Sequence, residues 1–459
     1  MSYQVLYARG ATETTFWPCG LRPVFSRRAP IPLPLSSGRG IGAISVNDPQ
    51  VTVITASRLF DGTGRPPIER GAIVIRGDAV EAVGAQDEIR APAGPAVRSL
   101  NFDGATVLPG LVDVHTHLVL PGDGTLPETM MRHTDGILLL QAAENARRAL
   151  FAGVTTMADM GGRNRVTFTL RDAIRMGLAV GPRLLLCGRP LTRTGGHCWF
   201  FHGEADDPEA IRHAIRQLLK EGADVIKAMA TGGGTLGTDP FRPTYRLEEL
   251  EAITDEARAA GKKTAAHCSA TVGISRALAA KFDMIFHAHF YEPGGHLHFH
   301  PDVARQMADS PVYVNPTLQI NRSQVEVLRA KGDNLTSEER RLLEIKATRY
   351  AGQVENVGKL VQHGVKMIAG SDAGWGPNPF GDFVSELEAM VTVGMTPVEV
   401  LQAATRNAAA ALGIDDLVGT LEVGKKADVL VVDGDPTRDI TALRNIRAIL
   451  LDGALVARS

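Results

Sequence analysis

Cysteine is scarce in this chain of 459 residues: there are 4, Cys19, Cys187, Cys198 and Cys268, and no two stand in a CxxC spacing. A small disulfide-stapled scaffold is thereby excluded, and reduced thiols in a cytoplasmic setting are expected. Net charge is nearly absent as well, since 49 Lys and Arg stand against 51 Asp and Glu for a formal −2. With no basic run long enough to track phosphates, nucleic acid is not an expected partner. There is neither a membrane-length apolar run nor a lipidation motif, so no membrane partner is expected. What the chain does have is a hydrophobic share of 44%, enough for a large buried core.

At about 150 residues per domain, the length allows two or three units, or one barrel of about 250 residues with an attachment. Residues 1–48 mix arginine, proline, serine and glycine (RRAPIPLPLSSGRG) without periodicity, and lack the layout of a secretory signal. They read as a flexible leader. Residues 49–108 hold short β-branched runs, VTVITA, AIVIRG and AVEAVG, broken by DGTGRPP and APAGP, the pattern of an antiparallel meander. Residues 416–459 behave alike, with GTLEVGKKADVLVVDGDP and IRAILLDGALV. The two flanks are expected to pair into a small β-sandwich.

Residues 109–415 alternate strand-like with helix-period segments. The strand-like ones are LVDVHTHL, VTTMADM, PRLLLCG, ADVIKAMA, KTAAHCS, DMIFHAH, VYVNPTL and KMIAGSD. Eight such units match an α/β fold in which a (β/α)8 TIM barrel is inserted in the sandwich, with its active site where the strands end.

Polar residues gather at those ends. Side chains alternate faces along a strand, so His115 and His117 in LVDVHTHL point the same way, as two imidazoles holding one metal would. His267 ends the fifth strand and His287 the sixth. His289 shares a face with His287 and is a further candidate, while Cys268, next to His267, should face away as a buried thiol. Lys227 closes the fourth strand before TGGGTLG. It either pairs with a carboxylate or, carboxylated by carbon dioxide, becomes a carbamate able to bridge two cations. Asp372 ends the eighth strand in IAGSDAGWG, where it can ligate metal and take a proton from water, or cap a helix.

The ordered set His115, His117, Lys227, His267, His287 and Asp372 resembles the amidohydrolase superfamily in its binuclear, carboxylated-lysine subtype. The phrases VTTMADMGG, GPRLLLCG, TGGHCWFF, GADVIKAMATGGG and GKKADVLVVDGDP are similar to the branch of imidazolonepropionase and Xaa-Pro dipeptidases, which also resembles amide- and carbamate-cleaving hydrolases of xenobiotics. The resemblance implies two divalent ions, zinc first, with carbon dioxide present as the lysine carbamate, and hydrolysis of a C–N bond in a small-molecule substrate. A peptide-like or N-acyl amino acid amide is the first expectation. A carbamate or phenylurea is the alternative, and a cyclic amide of the imidazolonepropionase kind a third. It further implies that His197 and Tyr245 contact substrate, and it leaves room for a homo-oligomer.

The chain departs from that branch at Phe286 and Ala288, where a glutamate and a glycine are common. The run Cys198, Trp199, Phe200, Phe201 after the GGH histidine suggests either an aromatic substrate or a buried loop anchor. The tract GGHLHFH, with His296, His298 and His300, reads as a solvated loop beyond the sixth strand.

Overall fold

The computed structural model describes residues 51–457 apart from 91, 93 and 95, so the expected leader lies outside the described residues. The described chain opens with β1 (Val51–Leu59), β2 (Ile68–Arg76), β3 (Ala79–Ala85) and β4 (Val97–Pro109). Pairs β1–β2 and β2–β3 are antiparallel, as the β-branched alternation predicts. Pair β1–β4 is parallel, which corrects the expected antiparallel meander. Because β2 occupies one edge of β1, the chain must cross from β3 to the other edge, and the stretch between β3 and β4 is a crossover rather than a hairpin.

The middle of the chain then runs β5 (Leu111–Thr116), α1 (Pro127–Met130), α2 (Asp135–Phe151), β6 (Val154–Asp159), α3 (Val166–Arg175), β7 (Arg183–Leu186), α4 (Pro208–Glu221), β8 (Val225–Met229), α5 (Leu247–Ala259) and β9 (Lys263–Ala270). It continues through α6 (Thr271–Ala279), β10 (Met284–Tyr291), α7 (Pro301–Asp309), β11 (Tyr313–Asn315), α8 (Leu318–Arg329) and α9 (Ser337–Gln362). Local signals set these helices. Asp207 accepts from the Glu209 and Ala210 amides to start α4, Pro208 takes its first position, and Gly222 ends it at φ 98°. Thr336 and Glu339 form the capping box of α9. None of the described helices is long and apolar enough to cross a membrane.

Strands β5–β6–β7 form one parallel sheet and β8–β9–β10–β11 another. Their edges meet: Leu191, beyond β7, bridges Ala228, and its amide donates to the Lys227 carbonyl at 2.8 Å. The eighth expected strand, KMIAGSD, is not a regular strand. It is an extended segment held on one side by the Met367–Val314 bridge and on the other by Ala373–Thr116. Gly370 explains its irregular course, since a Cβ there would come within 2.8 Å of the Asn315 amide oxygen and the His115 Cβ. Val112, Val114, Ala158, Val225, Ala265, Met284, Phe286 and Ile368 pack together between these strands, fully buried.

After α10 (Phe383–Thr392), α11 (Pro397–Ala403) and α12 (Arg406–Leu412), the chain returns as β12 (Val429–Asp433), β13 (Ile446–Leu451) and β14 (Ala454–Leu455). These join the first four strands in a single seven-stranded sheet, with β12 antiparallel to β4 from Val429↔Pro109 to Asp433↔Ala105. Its own apolar cluster links Ile54, Ile73 and Val107 of the first flank to Val429, Val431 and Leu450 of the second. Residues more than three hundred positions apart thus fix where the mixed α/β middle begins and ends.

Candidate metal centre

The six expected metal ligands lie on or just past strands, with β9 and β10 running on beyond His267 and His287, and one cavity of about 220 Å3 is lined by His115, His117, Lys227, His267, His287 and Asp372 together. That is several times the ~30 Å3 share of one water, so a multi-atom substrate fits. The Asp372 Oδ1 lies 3.3 Å from His117 Nε2 and 3.6 Å from His115 Nε2. Lys227 Nζ is 3.4 Å from His115 Nε2. The His267 and His287 rings are 4.5 Å apart, and those of His115 and His287 5.3 Å. Donor atoms of His115, His287 and Asp372 all fall within 4.8 Å of one another.

The hydrogen bonds behind the rings decide which nitrogens face inward. Asn315 donates its amide to the Gly370 carbonyl at 3.0 Å, so its oxygen accepts from His115 Nδ1 at 3.3 Å. Thr317 donates to the Pro316 carbonyl at 2.8 Å and therefore accepts from His287 Nδ1 at 2.6 Å. His117 Nδ1 faces the Gly161 carbonyl at 3.4 Å, and His267 Nε2 the Gly232 carbonyl at 3.0 Å. With these protons directed outward, lone pairs on Nε2 of His115, His117 and His287 and on Nδ1 of His267 are left for the centre.

Burial, reinforced by neighbouring positive groups, holds His115, His267 and His287 well below the ordinary imidazole range, so these rings are neutral. Burial also lowers the Lys227 ammonium to about 8, with Asp372 opposing the shift. Phe286, in place of the branch's glutamate, stacks on His115 at 4.2 Å and lies 4.0 Å under the Lys227 nitrogen. Neutral nitrogens and one carboxylate, with no thiolate at the cluster, are a donor set that fits a divalent cation.

Three of the residues involved adopt left-handed backbone: Asp372 at φ 56°, His287 at φ 70° and Thr317 at φ 49°. Such geometry persists only where surroundings over-determine it. At Asp372 the clamp is Asp113, whose carboxylate accepts from the Ser371 hydroxyl at 2.6 Å and from the Ser371 and His115 amides. At Thr317 it is Glu386, buried, which accepts from the Leu318 and Gln319 amides at 3.0 and 2.6 Å. Burial pushes the Glu386 carboxyl up to about 8. Sequence reading missed Asp113, Asn315, Thr317 and Glu386. Of these only Asp113 carried a signal, standing two positions before His115 on the same strand face.

His197 lines the cavity, its ring 4.5 Å from His267. Thr235 accepts from the Cys198 amide, and its hydroxyl lies 2.7 Å from His197 Nδ1, where donation to that nitrogen places the ring hydrogen on Nε2. Gly233 permits this approach, since a Cβ there would lie 2.5 Å from His197 Nε2. Tyr245, the other expected substrate contact, points into the core. It is 1% exposed, does not line the cavity, and donates its hydroxyl to the Ala205 carbonyl at 2.9 Å because its helix-flanking position turns it into the core. Phe200 and Phe201 are buried behind the site, Phe201 stacking on His117, so these two anchor the loop, while Trp199 between them and Cys198 is exposed. His296 and His298 are exposed, and His300 pairs with Glu292 at 2.8 Å. Cys187, Cys198 and Cys268 are buried free thiols, and Cys268 stays outside the cavity lining, as its strand position predicts.

A model described as the amidohydrolase family matches residues 106–456. The chain belongs to the amidohydrolase family. It is similar to the ochratoxinase of Aspergillus niger, 28% identical over 440 residues, covering 88% of this chain and 86% of that protein. It is also similar to the imidazolonepropionase of Mesorhizobium japonicum, at 25% over 401 residues, 80% of this chain and 87% of the relative. Among solved structures, a Xaa-Pro dipeptidase with methionine bound in its active site superposes with a TM-score of 0.76 at 29% identity, covering 88% of this chain and 99% of that one. This amidohydrolase is accordingly a metal-dependent enzyme that hydrolyses carbon–nitrogen bonds.

Proposed function

We propose that this amidohydrolase cleaves a linear amide in a peptide-like or N-acyl amino acid substrate, at the end of a closed (β/α)8 barrel flanked by a β-sandwich. The observation that carries the reading is the convergence of four imidazoles, each with its outward nitrogen engaged, on Lys227 and Asp372 in one cavity. His115 and His117 would hold one divalent cation, His267 and His287 a second, with Asp372 on the first and Lys227, as its carbamate, joining the two. When bound, such a pair, zinc by its donor set, supplies a Lewis acid for the scissile carbonyl and an acidified water.

The remaining steps belong to the chain. Asp372 Oδ1, beside the His115 and His117 nitrogens, takes the proton from the attacking water and delivers it to the leaving nitrogen. His197 Nε2–H, held by Thr235, donates to the substrate carbonyl and orients it. The left-handed turn at Asp372, fixed by Asp113 and Ser371, keeps that carboxylate aimed before substrate arrives. The buried free thiols are compatible with a reducing, cytoplasmic setting.

The test is to assay the purified protein against a panel of dipeptides and N-acyl amino acids and a panel of aryl ureas and carbamates. Turnover of the first panel is expected. Turnover confined to the second would replace this reading with the carbamate or phenylurea alternative.

A further inference from the structure

The outer part of the cavity differs from the imidazole end in being lined by cations with no anion to meet them. Lys346 and Arg349 lie one turn apart on α9, so they share a helix face, and both line the cavity. Neither forms an ion pair with a carboxylate among the described residues. Lys346 is held by the neutral Gln324 amide oxygen, and Arg349 lies 5.7 Å above Phe241 and 5.8 Å above Tyr291. Burial, and after it the charge of Arg349, pushes the Lys346 ammonium below its ordinary value, as expected of a buried cation with no carboxylate beside it. Among the described residues that line the cavity, Asp372 is the lone carboxylate, and it belongs to the metal end.

Neutral donors around the cations are equally unpartnered. The Asn321 amide nitrogen is buried without a hydrogen-bond partner, and so are both ring nitrogens of His289. Both residues line the same cavity. Buried polar groups left without a partner are rare unless something absent completes them. The ring of His289 lies 5.4 Å from His287 on one side and 5.4 Å from Tyr291 on the other, so a continuous file of rings leads from the metal end to Arg349.

We infer that the substrate carries a carboxylate, and that Lys346, Arg349 and the Asn321 amide form its binding subsite at the end of the cavity away from the metal ligands. The inference rests on the amide-hydrolase reading for the bond cleaved, and it adds which side chains receive the acidic group that a peptide-like or N-acyl amino acid substrate carries, beside an apolar portion resting on Phe241 and Tyr291. A guanidinium and an ammonium converging on one anion give charge-assisted hydrogen bonds, and the aromatic rings beneath Arg349 keep its fork in place.

The experiment measures kcat and KM of the purified holoenzyme for two amides with the acid on opposite halves, N-benzoyl-L-phenylalanine and succinyl anilide, each against its methyl ester. The expected result is that at least one acid exceeds its ester tenfold or more in kcat/KM, mostly through KM, and that Lys346→Met/Arg349→Met brings the ratio close to one. Acid and ester handled alike by the unmodified protein, or a ratio that survives the double substitution, overturns the inference while leaving amide hydrolysis intact. A loss shared equally by acid and ester also overturns it, because that is what a purely structural role gives. Should neither amide nor ester be turned over, it is the function reading that fails. The subsite is then judged by calorimetric binding of N-benzoyl-L-phenylalanine, where a tenfold weaker Kd in the double variant upholds it and an unchanged Kd removes it.

Discussion

The two ends of this one cavity are built on opposite principles. At the inner end, His115, His117, His267 and His287 each have one nitrogen fixed by a protein acceptor, and those acceptors are fixed in turn, Asn315 by Gly370 and Thr317 by Pro316. At the outer end, Lys346, Arg349, Asn321 and His289 face the cavity without an anion, and the Asn321 amide nitrogen and both His289 ring nitrogens are buried without a hydrogen-bond partner. A group that stays in place through many turnovers rewards a preorganised shell, whereas a substrate that must arrive and leave supplies its own half of the interactions. On the proposed function, the difference separates residues that hold from residues that recognise.

The sharpest way to break the comparison is to remove what the inner end holds. Stripping the protein with a chelator, or replacing His287 with alanine, should lower kcat/KM by roughly a thousandfold or more. Zinc should restore the stripped protein and leave the variant inactive. Replacing Thr317 with valine keeps the shape and deletes the acceptor on His287 Nδ1. A loss of about 10–100-fold in metal affinity is expected, read by competition with a chromophoric chelator, and Thr317→Ser should recover most of it. If the valine variant binds metal normally, the shell behind the rings is packing and nothing more.

Smaller effects mark the boundary of the site. Glu386→Gln should leave one of the Leu318 and Gln319 amides unpaired in the core, a cost of about 1–3 kcal/mol seen as a lowered thermal midpoint. Tyr245→Phe removes one buried hydrogen bond, about 1 kcal/mol of stability, and KM should not move. A raised KM in that variant would return Tyr245 to the substrate.

The inner end was legible in the sequence because strand periodicity is two. It puts His115 and His117 on one face, and successive strand ends bring Lys227, His267, His287 and Asp372 to one rim. The supporting shell was not legible, because it is written in long-range contacts. Glu386 reaches back 68 positions to the Leu318 amide, and nothing near it in the chain says so. Lys346 and Arg349 carry no local signal of a site, since the sequence does not say that α9 passes over the cavity. The sheet followed the same rule. Its strands could be counted from β-branched runs, but the parallel pairing of β1 with β4 depends on which edge β2 already occupies.

The most direct test of the central claim is a crystal structure of the purified protein with anomalous data collected at the edge of the bound metal. Two ions about 3.5–4 Å apart are expected, one against His115 and His117 and one against His267 and His287, with added density on the Lys227 nitrogen bridging both. A single ion beside an unmodified Lys227, or ions bound away from these imidazoles, would contradict the binuclear centre.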